Sequence, residues 1–287
     1  MKSLVGRFVL FLALTASFPA LAQVAASVEG LQMPAWVERE GRRLPLMPGM
    51  ALRAGDQVAT GAGARLVVRL AEGSVVKLGE NAQLRLAELS PGRELFRAAL
   101  NVLEGAFRFT TDVVAKSRKR EVSIRVAQVT AGIRGTDLWG RSRPGNEIVC
   151  LIEGAIEVGA EGESAVTMDQ ALQFYRREGG KTQPVGTVEK AQLEQWAQET
   201  ELAAGKGLRR GGKFSVLAAT APDQNAALAL YDELRAAGYP AEIWPTKDED
   251  KVVYVVRIRQ IASRAEARAL AGQLKGKFGI TEPKVSG

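Results

Sequence analysis

The residue types that most often perform chemistry are sparse in this chain of 287 residues. It contains no histidine, which removes the commonest general base and the commonest metal ligand. Its single cysteine, Cys150, lies in an apolar, strand-like run, where a thiol is more often buried and inert than nucleophilic. No carboxylate pair, metal-binding cluster or nucleophile–base pair stands out in the sequence. We therefore expect a protein that is not an enzyme and that uses no cofactor or metal.

One polar motif, Arg134-Gly135-Thr136-Asp137, has the chemistry of a contact site. The planar Arg134 guanidinium can bind a carboxylate, and Asp137 is a candidate partner for it. We predict that Arg134, Thr136 and Asp137 contact a ligand or a partner protein. The alternative is structural, with the arginine satisfying buried carbonyl groups and the aspartate capping a turn.

The motif lies in a segment, from about residue 28 to 180, in which apolar and polar residues alternate and glycine-containing turns recur. A period of two predicts strands with one buried face. Many short strands separated by such turns indicate an all-β domain, as a sandwich, a barrel or a solenoid-like stack. Residues 95–103 could be read as a helix. We assign them to a strand because Glu104-Gly105 and the alternating Phe107 and Phe109 follow.

The last part of the chain, residues 214–285, repeats itself with a shift of forty positions, which aligns Leu230 with Leu270 and Leu234 with Leu274. Each half has the pattern of an alternating strand followed by an amphipathic helix. The predicted element order is βαββαβ. This order is typical of a ferredoxin-like α+β domain, in which both helices cover one face of the sheet.

The other face of this sheet is then open. Alternation along its strands places Ser215, Leu217, Val255, Arg257 and Arg259 on that face. An extended surface with an apolar floor and an arginine rim suits a linear polymer, so these five residues are the candidate binding residues. The alternatives are that another domain covers the face or that it is simply exposed.

The N-terminus has the pattern of an export signal. Lys2 and Arg7 precede a short apolar run at residues 8–16, and Ala20-Leu21-Ala22 fits a cleavage site. The mature protein is expected to be soluble, without stable membrane insertion, and in a Gram-negative cell it would lie in the periplasm. An uncleaved anchor is the alternative, which the cleavage triplet disfavours.

The predicted organisation has five parts. They are a signal peptide at 1–22, the all-β domain at 23–180, a helix at 187–204, a basic flexible linker at 205–213, and the βαββαβ domain at 214–287. The helix either docks on the β domain through Trp196 or acts as a spacer. From Lys206 onward the chain has 14 Lys and Arg against 9 Asp and Glu. This positive surplus indicates either an anionic partner or only a contribution to solubility. Export disfavours nucleic acid as the partner.

A resemblance covers roughly residues 50–175. The run from Gly55-Asp56 to Thr60-Gly61, the strand pair around Glu72-Gly73-Ser74, and Gly132-Ile133-Arg134-Gly135-Thr136-Asp137 follow one another in the order found in the FecR-type periplasmic domain. The resemblance implies a periplasmic domain that binds a ligand or a partner. We expect a cleaved signal and no cytoplasmic segment, so the anti-sigma role of the best-known relatives is not carried over.

Residues 213–286 resemble the SPOR family, the sporulation-related repeat. The matching residues include Gly238-Tyr239-Pro240-Ala241, Tyr254-Val255-Val256-Arg257-Ile258 and Ser263-Arg264-Ala265-Glu266. The resemblance implies binding to peptidoglycan glycan strands that lack stem peptides. Leu217 stands where the family usually has glutamine, and Arg259-Gln260-Ile261 departs from its usual sequence after the third strand. The RNA-binding RRM has the same topology, but its aromatic motif in that strand is absent here.

Together these features predict a non-enzymatic periplasmic envelope protein. Its SPOR-like domain would bind peptidoglycan, which leaves a septal location open, and its FecR-like domain would bind a ligand or partner, with envelope and division proteins as candidates. The alternative is a periplasmic signalling or scaffold protein in which both domains bind proteins.

Overall fold

The structure, a computed structural model, describes residues 24–92, 94–111, 119–248 and 251–287. The predicted signal peptide at 1–22 and the side chain of Arg134 lie outside the described residues. None of the helices in the described ranges has the length and apolar composition that a bilayer crossing requires.

The N-terminal part of the described chain is built from strands, as the alternation predicts. They are β1 (Ala26–Gln32), β2 (Ala35–Arg39), β3 (Arg42–Pro45), β4 (Ala51–Leu52), β5 (Gln57–Thr60), β6 (Arg65–Leu70), β7 (Val75–Leu78), β8 (Gln83–Pro91), β9 (Leu95–Thr110), β10 (Lys119–Val126), β11 (Val129–Arg143), β12 (Asn146–Ala160), β13 (Val166–Met168), β14 (Gln173–Glu178), β15 (Lys181–Thr182) and β16 (Gly186–Thr187). The prediction of an all-β N-terminal region is therefore confirmed.

Three long strands organise this region. Strand β9 includes residues 95–103, as predicted, and pairs antiparallel with β8 and parallel with β10. Further along, β9 pairs with β11, and β11 pairs with β12 over most of its length. Because β9 and β11 each pair with different strands at their two ends, they connect successive parts of the sheet. Their inward side chains, such as Phe96, Phe107 and Leu138, are fully buried.

The helix predicted at 187–204 is shorter in the structure, where α1 spans Lys190–Gln198. It docks on the β region: its Trp196 stacks on the buried Trp139, with ring centroids 4.8 Å apart. The helix ends there because Thr200 is buried and its hydroxyl donates to the carbonyl of Ala197. The next residue, Glu201, accepts from Lys77 Nζ at 2.6 Å and binds Arg108 at 3.2 Å, which holds the chain against the β region.

The segment 205–213, predicted as a flexible linker, contains a strand instead. Strand β17 (Leu208–Arg209) lies between two others and pairs with Gly30 and Leu31 of β1. On its other side, Leu208 pairs with Ile261. Gly207 has a φ of +67°, and a Cβ at this position would collide with the carbonyl of Leu31. The glycine therefore permits close approach of two backbones rather than flexibility.

The C-terminal unit consists of β18 (Phe214–Ala221), α2 (Gln224–Ala236), β19 (Ala241–Asp248), β20 (Lys251–Ile261), α3 (Arg264–Leu274) and β21 (Lys284–Ser286). Strand pairing gives the spatial order β21-β18-β20-β19, entirely antiparallel. Asp223 caps α2 by accepting from the Ala226 amide, and Ser263 caps α3 by accepting from the Glu266 amide. The buried stripes of the helices include Leu234, Leu270 and Leu274.

The two regions pack directly against each other. Trp36 Nε1 donates to the carbonyl of Ala236 at 3.2 Å, and the Ala35 amide donates to the carbonyl of Gly238. Gly238 has a φ of +86°, and an added Cβ would lie 2.7 Å from the Trp36 ring. Together with β17, these contacts extend one buried apolar cluster from β1 to α3.

Candidate functional site

The strongest candidate site is the face of the C-terminal sheet that the helices leave uncovered. Helices α2 and α3 both pack on the opposite face. Across the uncovered face, Lys284 pairs with Leu217, Leu217 pairs with Arg257, and Arg257 pairs with Glu242. The predicted residues Leu217 and Arg257 therefore lie side by side on neighbouring strands. We call this surface the open face.

An aromatic ring and two guanidinium groups meet on the open face. Trp244 is 55% exposed, and the Arg257 guanidinium carbon lies 4.8 Å from the centre of its ring. Glu242 holds both arginines, with its Oε2 atom 3.9 Å from Arg257 Nε and 3.7 Å from Arg259 Nη1. A single carboxylate thus arranges two cations beside an exposed aromatic surface.

The other predicted residues of this face line its remaining length. The Ser215 hydroxyl is 2.8 Å from that of Ser286 on the neighbouring strand. Val255 pairs with Trp244 on one side and with Thr220 on the other. A register shift between Leu217 and Ala219 brings Thr220 opposite Val255. Strict alternation predicts Ala219 opposite Val255, so the sequence alone does not reveal that Thr220 takes that position.

Sequence reasoning also misses Trp244 and Glu242 as members of the open face. A usable signal is present, because Glu242 and Trp244 alternate with Ala241 and Ile243, whose side chains face the core. The end of the face at Arg259 adjoins the N-terminal region, since Arg259 and Glu242 share a crevice with Met47 and Pro48. The open face is therefore bordered, but not covered, at that end.

The motif predicted as a ligand or partner contact is used inside the fold. Thr136 is buried; its amide donates to the Thr111 hydroxyl and its hydroxyl donates to the carbonyl of Ala155. Asp137 binds Arg108 with both oxygens, at 3.0 and 2.7 Å. Arg108 on β9 is thus a partner of Asp137, while the side chain of the predicted partner Arg134 lies outside the described residues. We assign Thr136 and Asp137 a structural role.

A second aspartate of the N-terminal motifs is held in the same way. Asp56 is buried, and Arg39 binds it with two nitrogens at 2.8 and 2.6 Å. The hydrogen bond to Asp56 raises the pKa of Arg39, and the bond to Asp137 raises that of Arg108. Bidentate pairs of this kind fix strand positions as well as charge. Both motif aspartates therefore connect neighbouring strands of the β region.

Cys150 is fully buried, as the sequence indicates, and burial raises the pKa of its thiol from 9.0 to about 12. The unfolded thiol loses its proton first as the pH rises. The thiol therefore leaves stability intact below pH 9, and the free energy of unfolding falls by at most about 1.4 kcal/mol per pH unit between the two values. Comparing urea unfolding of the native chain and Cys150→Val from pH 8 to 11 measures this difference. Equal pH dependence in both proteins would contradict it.

No group of three or more potential metal-binding side chains occurs among the residues that the structure describes. The open face offers an aromatic ring, guanidinium groups and hydroxyl groups. This combination can bind an extended ligand that has both apolar surfaces and anionic groups.

Comparison with family models identifies both regions. The FecR protein model matches residues 56–157, and the SPOR domain model matches residues 211–281. The chain carries a FecR domain followed by a SPOR domain. The open face belongs to the SPOR domain, and the Asp56 and Asp137 motifs belong to the FecR domain. These two domains indicate a protein of the cell envelope.

Two solved structures of a presumed anti-sigma factor from Parabacteroides distasonis ATCC 8503 are similar to the chain. One is 16% identical, covers 76% of this chain and 89% of its own, and has a TM-score of 0.40. The other is 13% identical, covers 68% of this chain and 96% of its own, and has the same TM-score. A likeness at this level carries no conclusion. Comparison with curated proteins gives no match.

Proposed function

We propose that this is a non-enzymatic periplasmic protein that binds peptidoglycan glycan strands through the open face of its SPOR domain. The observation that carries the proposal is the exposure of Trp244 and Arg259 on that face beside the partly exposed Arg257. The FecR domain, held against the SPOR domain, binds a ligand or a protein partner of the envelope. Export by a cleaved signal peptide and a septal location are parts of the same proposal.

The arrangement of the SPOR domain supports a ferredoxin-like assignment. Its strand order β21-β18-β20-β19 and the position of both helices on one face are those of that fold. An antiparallel sheet with one covered face leaves the other available for contacts. The open face is long enough to contact several sugar rings, because β20 alone has eleven residues.

Each group on the open face has a counterpart in a glycan strand without stem peptides. The apolar faces of sugar rings pack on an exposed indole such as that of Trp244. Removal of a stem peptide leaves a free lactyl carboxylate on muramic acid, and arginines are suited to bind carboxylates. Arg257 and Arg259, arranged by Glu242, would therefore favour strands that lack stem peptides.

The departures from the SPOR pattern alter the floor of the site and leave its charged groups in place. Leu217 supplies an apolar side chain between Lys284 and Arg257, where the family usually has glutamine. Arg259 supplies a second cation, 53% exposed, where the usual family sequence has none. We infer that this protein binds through charge and stacking more than through the amide of a strand glutamine.

Replacing Trp244 tests the proposal. Trp244→Ala is expected to weaken co-sedimentation of the mature protein with amidase-treated sacculi about tenfold or more, since exposed aromatic anchors are typical hot spots. Leu228→Ala is the matched control, because Leu228 is an exposed apolar residue of the same domain on helix α2. Unchanged sedimentation of Trp244→Ala would contradict the proposal and favour a scaffold whose two domains both bind proteins.

A further inference from the structure

A second groove with aromatic walls lies in the part of the chain before the SPOR domain. It has a volume of about 540 Å³ and runs between α1 and strand β14. Phe174 and Trp196 supply its aromatic surfaces, and Gln192, Gln195, Arg176 and Glu189 supply its polar groups. The groove lies outside both matched ranges, which are residues 56–157 for the FecR model and 211–281 for the SPOR model.

The aromatic groups of the groove are held rigidly. The Trp196 ring stacks on Trp139, which is fully buried, at an interplanar angle of 14°. The Phe174 ring lies over Gly186, where an added Cβ would be 2.9 Å from the ring. Both rings are therefore fixed before any ligand arrives, which lowers the entropic cost of binding.

The polar groups of the groove are suited to hydroxyl groups. Gln192 Nε2 donates to Gln195 Oε1 at 3.3 Å, which leaves the Gln192 Oε1 atom and the Gln195 NH₂ group available to a ligand. Arg176 lies over Phe174, with its guanidinium carbon 5.6 Å from the ring centre. Arg176 and Glu189 balance each other in charge. The groove therefore favours an uncharged ligand that has hydroxyl and amide groups and a flat apolar side.

We propose that this groove is a second carbohydrate-binding site, which takes one or two rings of a neutral saccharide. A sugar ring would pack on Trp196, and the Gln192–Gln195 pair would bond its hydroxyl or acetamido groups. The site differs from the open face in requiring no carboxylate on the ligand. Two sites on one chain would also raise the effective affinity for a long glycan strand.

Binding of chitotetraose, a neutral N-acetylglucosamine oligomer, tests the site in the mature chain. We expect saturable binding that changes tryptophan fluorescence, and loss of most of that change in Trp196→Phe. The double variant Gln192→Ala/Gln195→Ala is expected to bind about fivefold to 25-fold more weakly, at roughly fivefold per lost amide contact. Lys190→Ala, on the same helix and highly exposed, is the matched control and should bind normally.

Two further variants separate this site from the open face. Trp244→Ala should retain chitotetraose binding, and the Gln192→Ala/Gln195→Ala variant should retain the preference for amidase-treated over untreated sacculi. Absence of saturable chitotetraose binding to the native protein would overturn the second site. Loss of this binding in Trp244→Ala, with full binding in the Gln192→Ala/Gln195→Ala variant, would also overturn it. Loss of sacculus binding in Trp244→Ala alone would support the open face whatever the result for the groove.

Discussion

Trp139→Ala is expected to lower the free energy of unfolding by about 3–5 kcal/mol, the largest loss that we predict for a single substitution. Trp139 is fully buried in one apolar cluster with Ala106, Ile148, Val188 and Leu193. Its removal leaves a cavity and also removes the ring on which Trp196 stacks. Helix α1 therefore loses much of its attachment to the FecR domain.

Urea unfolding followed by far-ultraviolet circular dichroism measures this loss. Leu103→Ala is the control, because Leu103 is 44% exposed on a strand of the same region and should cost less than about 1 kcal/mol. Trp139→Phe should cost less than the alanine variant, because it keeps an aromatic ring and removes a buried Nε1 that has no hydrogen-bond partner among the described residues. An alanine variant within about 1 kcal/mol of the native protein would refute the proposed packing role.

Reversing both arginines of the open face is expected to abolish most glycan binding. Arg257→Glu/Arg259→Glu places two carboxylates beside Glu242 and removes the cations that would meet the lactyl carboxylates. We expect affinity for amidase-treated sacculi to fall about tenfold to 100-fold, on the scale of lost charged contacts at interfaces. Native binding should also weaken as salt rises from 50 to 500 mM, since the arginines are partly exposed.

The charge-matched control is Arg268→Glu/Lys277→Glu. Both residues are exposed in the SPOR domain, on α3 and on the loop that follows it, so the net charge changes equally while the open face is preserved. If this control loses binding as much as the arginine variant, then net charge explains the attraction and the site assignment is wrong.

Alternation predicted the strands well because burial of one face is written locally in the sequence. Residues 95–103 show this, because their alternating pattern continues through Phe107 and Phe109, and all of these residues lie in one strand, β9. The ends of elements were less predictable. Helix α1 stops at Gln198 because Thr200 is buried and Glu201 bonds Lys77, and both effects depend on strands far away in sequence.

The candidate sites were predictable in part. Period two placed Arg257 and Leu217 together, but the shift near Ala219 depends on strand pairing that no local pattern reveals. The partner of Asp137 is 29 residues away on β9, and only the register of β9 with β11 brings Arg108 beside it. The glycines at 205–213 predict a flexible linker, whereas Gly207 in the structure permits the close approach of two backbones.

The open face is proposed to recognise glycan strands whose lactyl carboxylates are free. The most direct test uses the mature Gln192→Ala/Gln195→Ala variant, in which the proposed groove site is weakened. It measures co-sedimentation with amidase-treated sacculi before and after the carboxylates are converted to methylamides. We predict strong binding before the conversion, at least tenfold weaker binding after it, and little binding to untreated sacculi or cellulose. Equal binding to all four materials would contradict the claim.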